Sequence, residues 1–555
     1  MVRDSINIEM ETKPTIGLRS LPRKQVLVTL VGVLLAIFLS SLDMTIVGTA
    51  MPRIIADLGG FAHYTWIATA YLIMSTVVMP ITGKLTDIYG RKHFYTGGIA
   101  LFILGSLLCG LSQTMTQIIL FRGLQGIGAG VMTANAFTVI GDLFPPAERG
   151  KYQGLVAAVF GISAFIGPTL GGFITDAFSW HWIFYINIPL GIIAIILFVF
   201  FFPNFRLANQ KHRIDYAGIA TLVVAVIPLL LALSWGGIQY SWASVPVIAM
   251  FALSAVGLIA FLLIEIRSEE PIVPLEIFRN PIVAISTPII FLTGFGMFAS
   301  IIFIPLFFQG VLGLSATASG SFLTPMILGQ VIGSFSSGQL MARAGGHYRL
   351  QGIIGLALMI AGLALLTRMT PETSYVTAVI NIVLVGFGLG IILPLYTIAV
   401  QNAVPYNVLG AASSFVPFFR SMGGAIGLAI FGSVMTNRFA SESIAKLPEA
   451  TKAIIPPELL SSVTHNAQAL VSPQAQTQLR ALFSQSGQQG EALYEQTLHT
   501  LREALNSGLT YVFLIALFVT IITFIINLFI KEVPLRKQHV LAESTNDVNG
   551  IDNKK

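Results

Sequence analysis

Residues 26–50 read VLVTLVGVLLAIFLSSLDMTIVGTA and hold one ionisable side chain, the carboxylate of Asp43. Because a helix needs ~20 apolar residues to cross the hydrocarbon core of a bilayer, this run predicts a membrane span. A carboxylate inside a span is unfavourable by about 3 kcal/mol, and such residues usually mark a path for ions or protons. Asp43 is therefore the first candidate functional residue. The alternative is a buried acid that pairs with an arginine for packing alone.

The composition is that of a membrane protein. Of its 555 residues 55% are hydrophobic and 10% are charged, against about 25% charged residues in soluble domains. The apolar runs are continuous rather than alternating, so we predict an all-α membrane protein and not a closed barrel. The single Cys109 excludes an intramolecular disulfide and a cysteine metal cluster. Without a Ser/His/Asp set or a phosphate-binding loop, we predict no enzyme activity, no cofactor, no metal site and no nucleic-acid partner.

Fourteen apolar runs predict fourteen spans. Their approximate limits are 26–50, 62–83, 94–112, 116–140, 152–175, 181–203, 214–235, 244–265, 281–308, 318–341, 350–368, 375–400, 409–435 and 508–530. We divide the chain into a cytoplasmic tail 1–25, a six-span half 26–203, two inserted spans with linkers 204–280, a second six-span half 281–530 with an outer loop 437–507, and a cytoplasmic tail 531–555.

The distribution of lysine and arginine predicts the orientation. An even number of spans places both termini on one side, and most of the 31 basic residues lie in the connections on that side. The opposite side holds Arg53, Arg368 and five residues of the long loop 437–507, which the positive-inside rule discounts. Both termini are therefore expected in the cytoplasm, and the first run is expected to be retained as a span.

The connection after span 2 carries the motif GKLTDIYGRK, residues 83–92. Gly83 and Gly90 permit a tight turn, and Asp87 can cap the amino terminus of a helix. Arg91 and Lys92 supply positive charge at the inner surface. An ordinary short loop with topology charges is the alternative, but the string resembles the signature loop between spans 2 and 3 of the major facilitator superfamily.

Three further motifs resemble the same family. Span 4 carries RGLQGIGA at 122–129, similar to the family's arginine–glycine motif, and span 1 matches a string of the fourteen-span branch from Leu42 to Pro52. Span 5 carries GISAFIGPTLGG at 161–172, similar to the signature of the drug-type antiporters. The residues of that signature, to which we assign a role in gating and conformational change, are Gly161, Gly167, Pro168, Gly171 and Gly172. Span 6 departs from the pattern, because His181 stands where the family commonly has arginine.

The resemblance implies a fold and a mechanism. It implies two rocking six-helix halves with alternating access, and a bacterial inner (plasma) membrane location. It also implies a cytoplasmic latch of Asp87, Arg91 and Asp142 that favours the outward-open state. Small residues and Pro168 in span 5 suit a helix that moves, although glycine is common in membrane spans.

Asp43 and Arg122 are predicted to form the proton-coupling pair. Counting ~1.5 Å per residue places both ~10 Å below the outer surface. Arg122 favours the charged form of Asp43, whereas burial favours the protonated form, so the carboxyl group can gain and lose a proton as its surroundings change. A static ion pair is the alternative.

A degenerate repeat relates the two halves. Gly338, Leu340 and Gly345 match the first motif at an offset of 255 residues, with Ala342 in the position of Asp87. The inserted spans then lie between two equivalent units. At the same offset Asp43 maps onto Phe298, so the acid chemistry is expected in the first half alone.

Polar and aromatic side chains inside spans are candidates for substrate contacts near the midplane. For each of them helix–helix packing is an equally good interpretation. Arg420 is the most notable, because no acid in spans 9–14 is buried enough to pair with it. The candidates are Tyr71, Gln125, Phe298, Gln330, Asn381, Tyr396, Phe418 and Arg420.

The outer loop 437–507 contains a stretch at 491–502 with helical periodicity. It is expected either to lie on the membrane surface or over the outer mouth, or to serve as a simple tether.

We predict a monomeric, proton-coupled exporter of lipophilic, neutral or monocationic compounds, whose partners are its substrates, protons and membrane lipids. One deep carboxylate is the reason for the charge limit. The alternatives are a lipid or amphiphile exporter of the same superfamily, and a membrane sensor or scaffold without transport.

Overall fold

The computed structural model describes residues 22–58, 66–202, 214–237, 239–314, 316–344, 347–456, 460, 463–464, 470, 473–484 and 487–535. Within these ranges the chain is helical and forms no β-strand; an isolated bridge joins Gly236 to Tyr240. Gly345 of the repeat, the tail 1–21 and residues 536–555 lie outside the described residues.

The first half of the chain forms seven helices. They are α1 (Arg23–Leu58), α2 (Trp66–Tyr89), α3 (Arg91–Gly110), α4 (Met115–Leu143), α5 (Pro146–Ala177), α6 (Trp182–Tyr185) and α7 (Asn187–Phe201). Predicted span 6 is thus two helices, with Ile186 between them. Two helices follow as a pair, α8 (Tyr216–Trp235) and α9 (Val245–Glu265).

The described residues after Glu265 include eight further α-helices. They are α10 (Pro281–Leu306), α11 (Ala316–Ala344), α12 (Tyr348–Leu366), α13 (Tyr375–Ala403), α14 (Leu409–Lys446), α15 (Glu449–Ile454), α16 (Pro473–Ser484) and α17 (Gly487–Asn527). We call the end of the bundle at which α1 begins and α17 ends the terminal end, and the opposite end the loop end.

Twelve helical segments in the described part of the chain are long and apolar enough to cross a membrane. They match twelve of the fourteen predicted spans, with α6 and α7 counted as one segment. The other two predicted spans coincide with α4 and α11, which are helices of 29 residues each and are not among the twelve. The count of fourteen spans therefore stays a prediction.

Two helices extend into the predicted outer loop 437–507. Helix α14 continues past 435 to Lys446, and α17 begins at Gly487, well before 508. The periodic stretch 491–502 is therefore the first part of α17, in line with the last span, and not a separate helix lying across the membrane surface. Its apolar positions Leu498 and Leu501 are buried in the core of the second half, as is Leu505 just after it. The periodicity was real, but its apolar side packs within the protein.

Small residues bring α4 against both α2 and α3. A Cβ atom built on Gly126 would lie 2.5 Å from the Tyr71 carbonyl oxygen, and one on Gly105 would lie 2.7 Å from Gln125 backbone atoms. Real side chains do not reach such distances, so glycine is required at both positions. This close approach places the polar side chains of α4 in the centre of the first half.

The two halves touch at the terminal end through two equivalent pairs of helices. In the first pair, Gly83 of α2 lies against Ser414 and Gly410 of α14; in the second, Gly338 of α11 lies against Gly150 of α5. Gly83 and Gly338 are the matching residues of the repeat. The repeated glycines thus serve the same purpose, which is to let helices of opposite halves meet backbone to backbone.

The pair α8–α9 joins the bundle beside α2. Glu265, at the end of α9, is buried and accepts hydrogen bonds from the amides of Ile272 (3.2 Å) and Val273 (3.3 Å). In the same connection Glu270 forms a 2.5 Å ion pair with Lys84 of α2. The linker after α9 is therefore attached to the first half at the terminal end.

Candidate functional site

The Asp43 carboxylate lies in a fully enclosed polar cluster between α1, α4 and α7. Its exposure is 0%, and it accepts hydrogen bonds from Arg122 Nη1 (2.5 Å), Gln125 Nε2 (2.8 Å) and Asn187 Nδ2 (2.9 Å). Each of these donors is 1% exposed or less. The predicted pair of Asp43 and Arg122 is therefore present, and three donors satisfy the carboxylate in this state.

Arg122 is held on several sides. Its Nη1 also donates to Gln125 Oε1 (2.8 Å), its Nε donates to the Ile67 carbonyl (3.3 Å), and its guanidinium lies 4.2 Å from the centre of the Tyr71 ring. Tyr71 in turn donates to the Ser40 carbonyl of α1 at 3.2 Å. A guanidinium with alternative acceptors can stay buried when one of them changes its charge.

Sequence reasoning missed two residues of this cluster. Asn187 donates to Asp43 and also to Ser106 Oγ (3.0 Å), and Ser106 donates to the Phe184 carbonyl at 2.8 Å. Asn187 stands five residues after Trp182 in the span 6 motif, where it begins α7. The break between α6 and α7 aims this side chain inward, and apolar periodicity does not reveal such a break.

At the terminal end Asp87 of α2 caps the amino terminus of α14. The loop motif predicted that Asp87 caps a helix, without indicating which one. Its carboxylate accepts hydrogen bonds from the amides of Gly410 (3.1 Å) and Ala411 (2.9 Å). Arg91 joins Asp87 (2.5 Å) to Asp142 (3.0 Å), and all three side chains are buried. The latch residues therefore connect the first half to the second.

The other two residues of the loop motif, Gly90 and Lys92, do not contact the second half in any hydrogen bond or ion pair described above. Gly90 has a φ of 91°, which side chains with a Cβ rarely adopt, and it links α2 to α3 in a single residue. Lys92 is partly exposed at the terminal end.

A second contact between the halves was not predicted. Arg149 of α5, which is 1% exposed, donates to Gln401 Oε1 of α13 at 3.1 Å. Gln401 donates to the Phe137 carbonyl of α4 (3.1 Å) and to Ser413 of α14 (2.9 Å). Arg149 looked like one more topology charge in the sequence, and only tertiary packing reveals that it is buried.

The glycines of the span 5 motif face three different surroundings. Gly167 and Gly171 lie against Thr45 and Ile46 of α1, and Gly161 lies against Ile327 of α11. A Cβ on Gly172 would meet no atom within 4 Å. Pro168 is inside α5, which is continuous from Pro146 to Ala177. Helix α5 therefore packs on α1 with one part and on the opposite half with another.

Three of the substrate candidates lie in α14 or against it. Phe298 of α10 lies over Gly424 of α14, one turn from Arg420, and Phe418 is beside Phe419 with ring centres 5.3 Å apart. Arg420 Nη2 is 3.5 Å from the Leu393 carbonyl of α13.

The other candidates lie elsewhere. Tyr71 and Gln125 belong to the Asp43 cluster, and Tyr396 donates to Asn527 of α17 at 2.8 Å. Asn381 is buried in α13, and Gln330 of α11 is partly exposed, with its backbone against Gly390.

At the loop end His181 lies outside the spans. Its Nδ1 is 2.7 Å from Ser179 Oγ, and its ring stacks on Trp180, which donates to Asp57 at 2.8 Å. Burial lowers the pKa of His181, and the charge of Asp57 acts in the opposite direction. The group that replaces the expected arginine thus helps to join α1 to the turn between α5 and α6.

Comparisons with known proteins identify the family. The profile described as Major Facilitator Superfamily matches residues 33–428. The chain belongs to the major facilitator superfamily. It is accordingly a membrane transporter and not an enzyme.

Two relatives come from Bacillus subtilis (strain 168). Multidrug transporter protein MdtP is 39% identical over 506 residues, covering 91% of this chain and 93% of the relative. Multidrug resistance protein 3 is 39% identical over 518 residues, covering 93% and 97%. Among solved structures the human organic anion transporter MFSD10 has a TM-score of 0.56 at 13% identity, covering 90% of this chain and all of that one. The last likeness concerns the fold alone.

Proposed function

We propose that this transporter exports lipophilic compounds in exchange for protons, with Asp43 as the carboxyl group that carries the proton. The observation that supports the proposal is the enclosed cluster of Asp43, Arg122, Gln125 and Asn187. Both Bacillus relatives are multidrug proteins by name, which supports drug export as the direction and class of transport.

Protonation of Asp43 changes its contacts with the three donors. A carboxylate accepts from three donors at once, but a carboxylic acid has lost its charge and one acceptor oxygen becomes a donor. Arg122 then binds more weakly to Asp43 and keeps Gln125 and the Ile67 carbonyl as acceptors. Proton uptake therefore loosens α1 from α4 without leaving the guanidinium free of partners.

The shift of α1 can reach the opposite half through α5. Thr45, two residues from Asp43, donates to the Ser163 carbonyl of α5 at 3.1 Å and lies against Gly167. Helix α5 in turn contacts α11 at Gly150 and Gly161. A small movement of α1 is thereby passed to the contact that closes the terminal end.

We assign this structure to the outward-open class of states, with the terminal end in the cytoplasm. The latch contacts Asp87–Ala411 and Arg149–Gln401 close that end. The proposed cycle is proton uptake by Asp43 from outside, opening of the latch, proton release to the cytoplasm, and binding of cytoplasmic cargo. We further propose that α4 and α11 also cross the membrane, which gives fourteen spans with α8–α9 as the inserted pair.

The exposure of the Asp43 carboxylate bears on the charge of the cargo. The expectation of neutral or monocationic cargo rests on a deep carboxylate that is open to cargo. Asp43 is 0% exposed, and its oxygens are bound by three donors. We therefore propose lipophilic cargo, including neutral and monocationic compounds, without a requirement for positive charge.

Purified protein in liposomes with an imposed proton gradient and a pH-sensitive dye tests the proposal. We expect ethidium or tetraphenylphosphonium to elicit proton movement in the wild type, and Asp43→Asn to abolish it. Asp176→Asn is the matched control, because Asp176 is an exposed aspartate in α5. Proton movement that persists in Asp43→Asn contradicts the coupling role. No substrate-dependent proton movement with any cargo favours a sensor or scaffold.

A further inference from the structure

Arg420 is a cation in the first third of α14, and it has few partners. It is 11 residues from the start of α14 at Leu409, which corresponds to ~16 Å along the helix axis. Its Nε is enclosed and has no hydrogen-bond partner, and its Nη2 has one long contact of 3.5 Å to the Leu393 carbonyl. That carbonyl also accepts from Thr397 at 2.9 Å.

Four helices of the second half offer no acid to balance this charge. Helices α10, α11, α12 and α13 contain neither aspartate nor glutamate, and the first acid of α14 is Glu442. Glu442 is 22 residues from Arg420, or ~33 Å along the axis, and is paired with Arg438 and Lys446. Guanidinium stays charged in proteins, and an unpaired charge at this depth is unfavourable.

The surroundings of Arg420 suit an amphiphile. Phe418 and Phe419 precede it in α14 and are partly exposed, and Phe278 stands edge-on to Phe419 with ring centres 6.3 Å apart. Phe298 lies one turn further toward the loop end. Aromatic rings accommodate an apolar body, while a planar guanidinium with free N–H groups matches the two oxygens of a carboxylate or phosphate.

From this geometry we infer that Arg420 binds an anionic head group of the cargo, so that the transporter accepts lipophilic acids. The inference rests on the proposed function and names a substrate class for it. Asp43 does not oppose such cargo, because its charge is enclosed with that of Arg122 in the other half. A water-borne lipophilic acid and an acidic lipid share this chemistry.

A matched set of probes tests the inference. Pyrenebutyrate, its methyl ester and pyrenebutyltrimethylammonium share one apolar body and differ in charge. We would measure their binding to the wild type, Arg420→Lys and Arg420→Gln in nanodiscs by fluorescence anisotropy. We would then measure the proton movement that each elicits in liposomes. Excess lysophosphatidate is then added to the binding assay. If it displaces pyrenebutyrate, the site accepts acidic lipids. If pyrenebutyrate stays bound, the site is specific for water-borne acids.

We expect Arg420→Gln to weaken pyrenebutyrate binding about 10- to 100-fold, since a charge-assisted hydrogen bond contributes about 1.5–3 kcal/mol. Arg420→Lys keeps part of the affinity, and the trimethylammonium probe binds Arg420→Gln at least as well as it binds the wild type. Equal loss of all three probes in Arg420→Gln overturns the inference in favour of a structural arginine.

Other outcomes separate the inference from the function on which it rests. Wild-type protein that binds and exports the cation but not the acid contradicts the anion site and leaves the proposed function intact. Binding of the acid without any proton movement supports the site and contradicts proton-coupled export. Absence of binding by every probe overturns the inference.

Discussion

The carboxylate of Asp87 accepts a hydrogen bond from the amide of Ala411 at 2.9 Å, which joins α2 of the first half to the first turn of α14 in the second. The equivalent position in the repeat is Ala342, which has no carboxylate, and the partner helix α5 has no side-chain cap at its amino terminus. Arg149 occupies that side instead, donating to the Gly141 and Phe144 carbonyls and to Gln401. The terminal end is thus closed by a carboxylate on one side and a guanidinium on the other.

Replacing Asp87 with alanine is expected to open the terminal end. Loss of a charged cap at a helix amino terminus is unfavourable by about 0.5–2 kcal/mol, which shifts the population of the closed state about 2- to 30-fold. We expect hydrogen–deuterium exchange to accelerate in peptides covering 409–413 and in those covering 146–150. Asp176→Ala is the control. Acceleration confined to 409–413 would show that the cap is local and that the halves stay closed.

Gly150→Ala is expected to separate α5 from α11. A Cβ at this position would meet the backbone of Gly338, which cannot move aside as a flexible side chain can. In a Cys109→Ser background, the buried Ser334 of α11 can be replaced by cysteine as a reporter. We expect maleimide to label Ser334→Cys at least about fivefold faster when Gly150→Ala is added.

Gly97→Ala is the control for that experiment, because a Cβ on Gly97 would meet no atom within 4 Å. Unchanged labelling together with an unchanged melting temperature would mean that the contact between Gly150 and Gly338 does not hold the halves together.

The sequence predicted well what depends on local pattern, and poorly what depends on packing between distant segments. Hydropathy located the helices, and the motifs identified Asp43, Arg122 and Asp87. Burial of Arg149 depends on Gln401, which is 252 residues away, and no local pattern encodes that contact. Helices α14 and α17 also extend beyond the predicted spans, and Arg438 of the first lies over the ring of Tyr511 of the second, a contact between distant segments.

Asn187 is expected to set the pH range of transport. Its Nδ2 donates to Asp43 Oδ1 at 2.9 Å, so it stabilises the charged form of that group. Removing the donor in Asn187→Ala favours the protonated form, which then persists to higher pH. Because a hydrogen bond to a charged group stabilises it, we expect the pH–rate profile of Asn187→Ala to differ from that of the wild type, with its midpoint at higher pH.

Ser106→Ala is the control variant for Asn187→Ala. Ser106 accepts from the same amide nitrogen without touching Asp43, so its loss is expected to move the midpoint less. If Asn187→Ala lowers the transport rate but leaves the midpoint of the pH–rate profile unchanged, the role of Asn187 is packing alone.

Stability measurements on the pair of Asp43 and Arg122 distinguish a coupling site from passive packing. Removing one partner of a buried ion pair leaves an uncompensated charge and lowers stability by about 3–5 kcal/mol, whereas removing both is often neutral. We expect Arg122→Gln to lower the melting temperature, and the double variant Asp43→Asn/Arg122→Gln to recover most of the loss.

Since Asp43 can neutralise itself by taking up a proton, the deficit of Arg122→Gln is expected to shrink as the pH falls. The Asp43→Asn variant lacks that group, so the double variant is expected to show no such pH dependence, which differential scanning fluorimetry from pH 5 to 8 can check. A deficit in Arg122→Gln that is independent of pH would mean that Asp43 does not take up a proton even when its counter-charge is gone, and the proposed coupling would then need another acid.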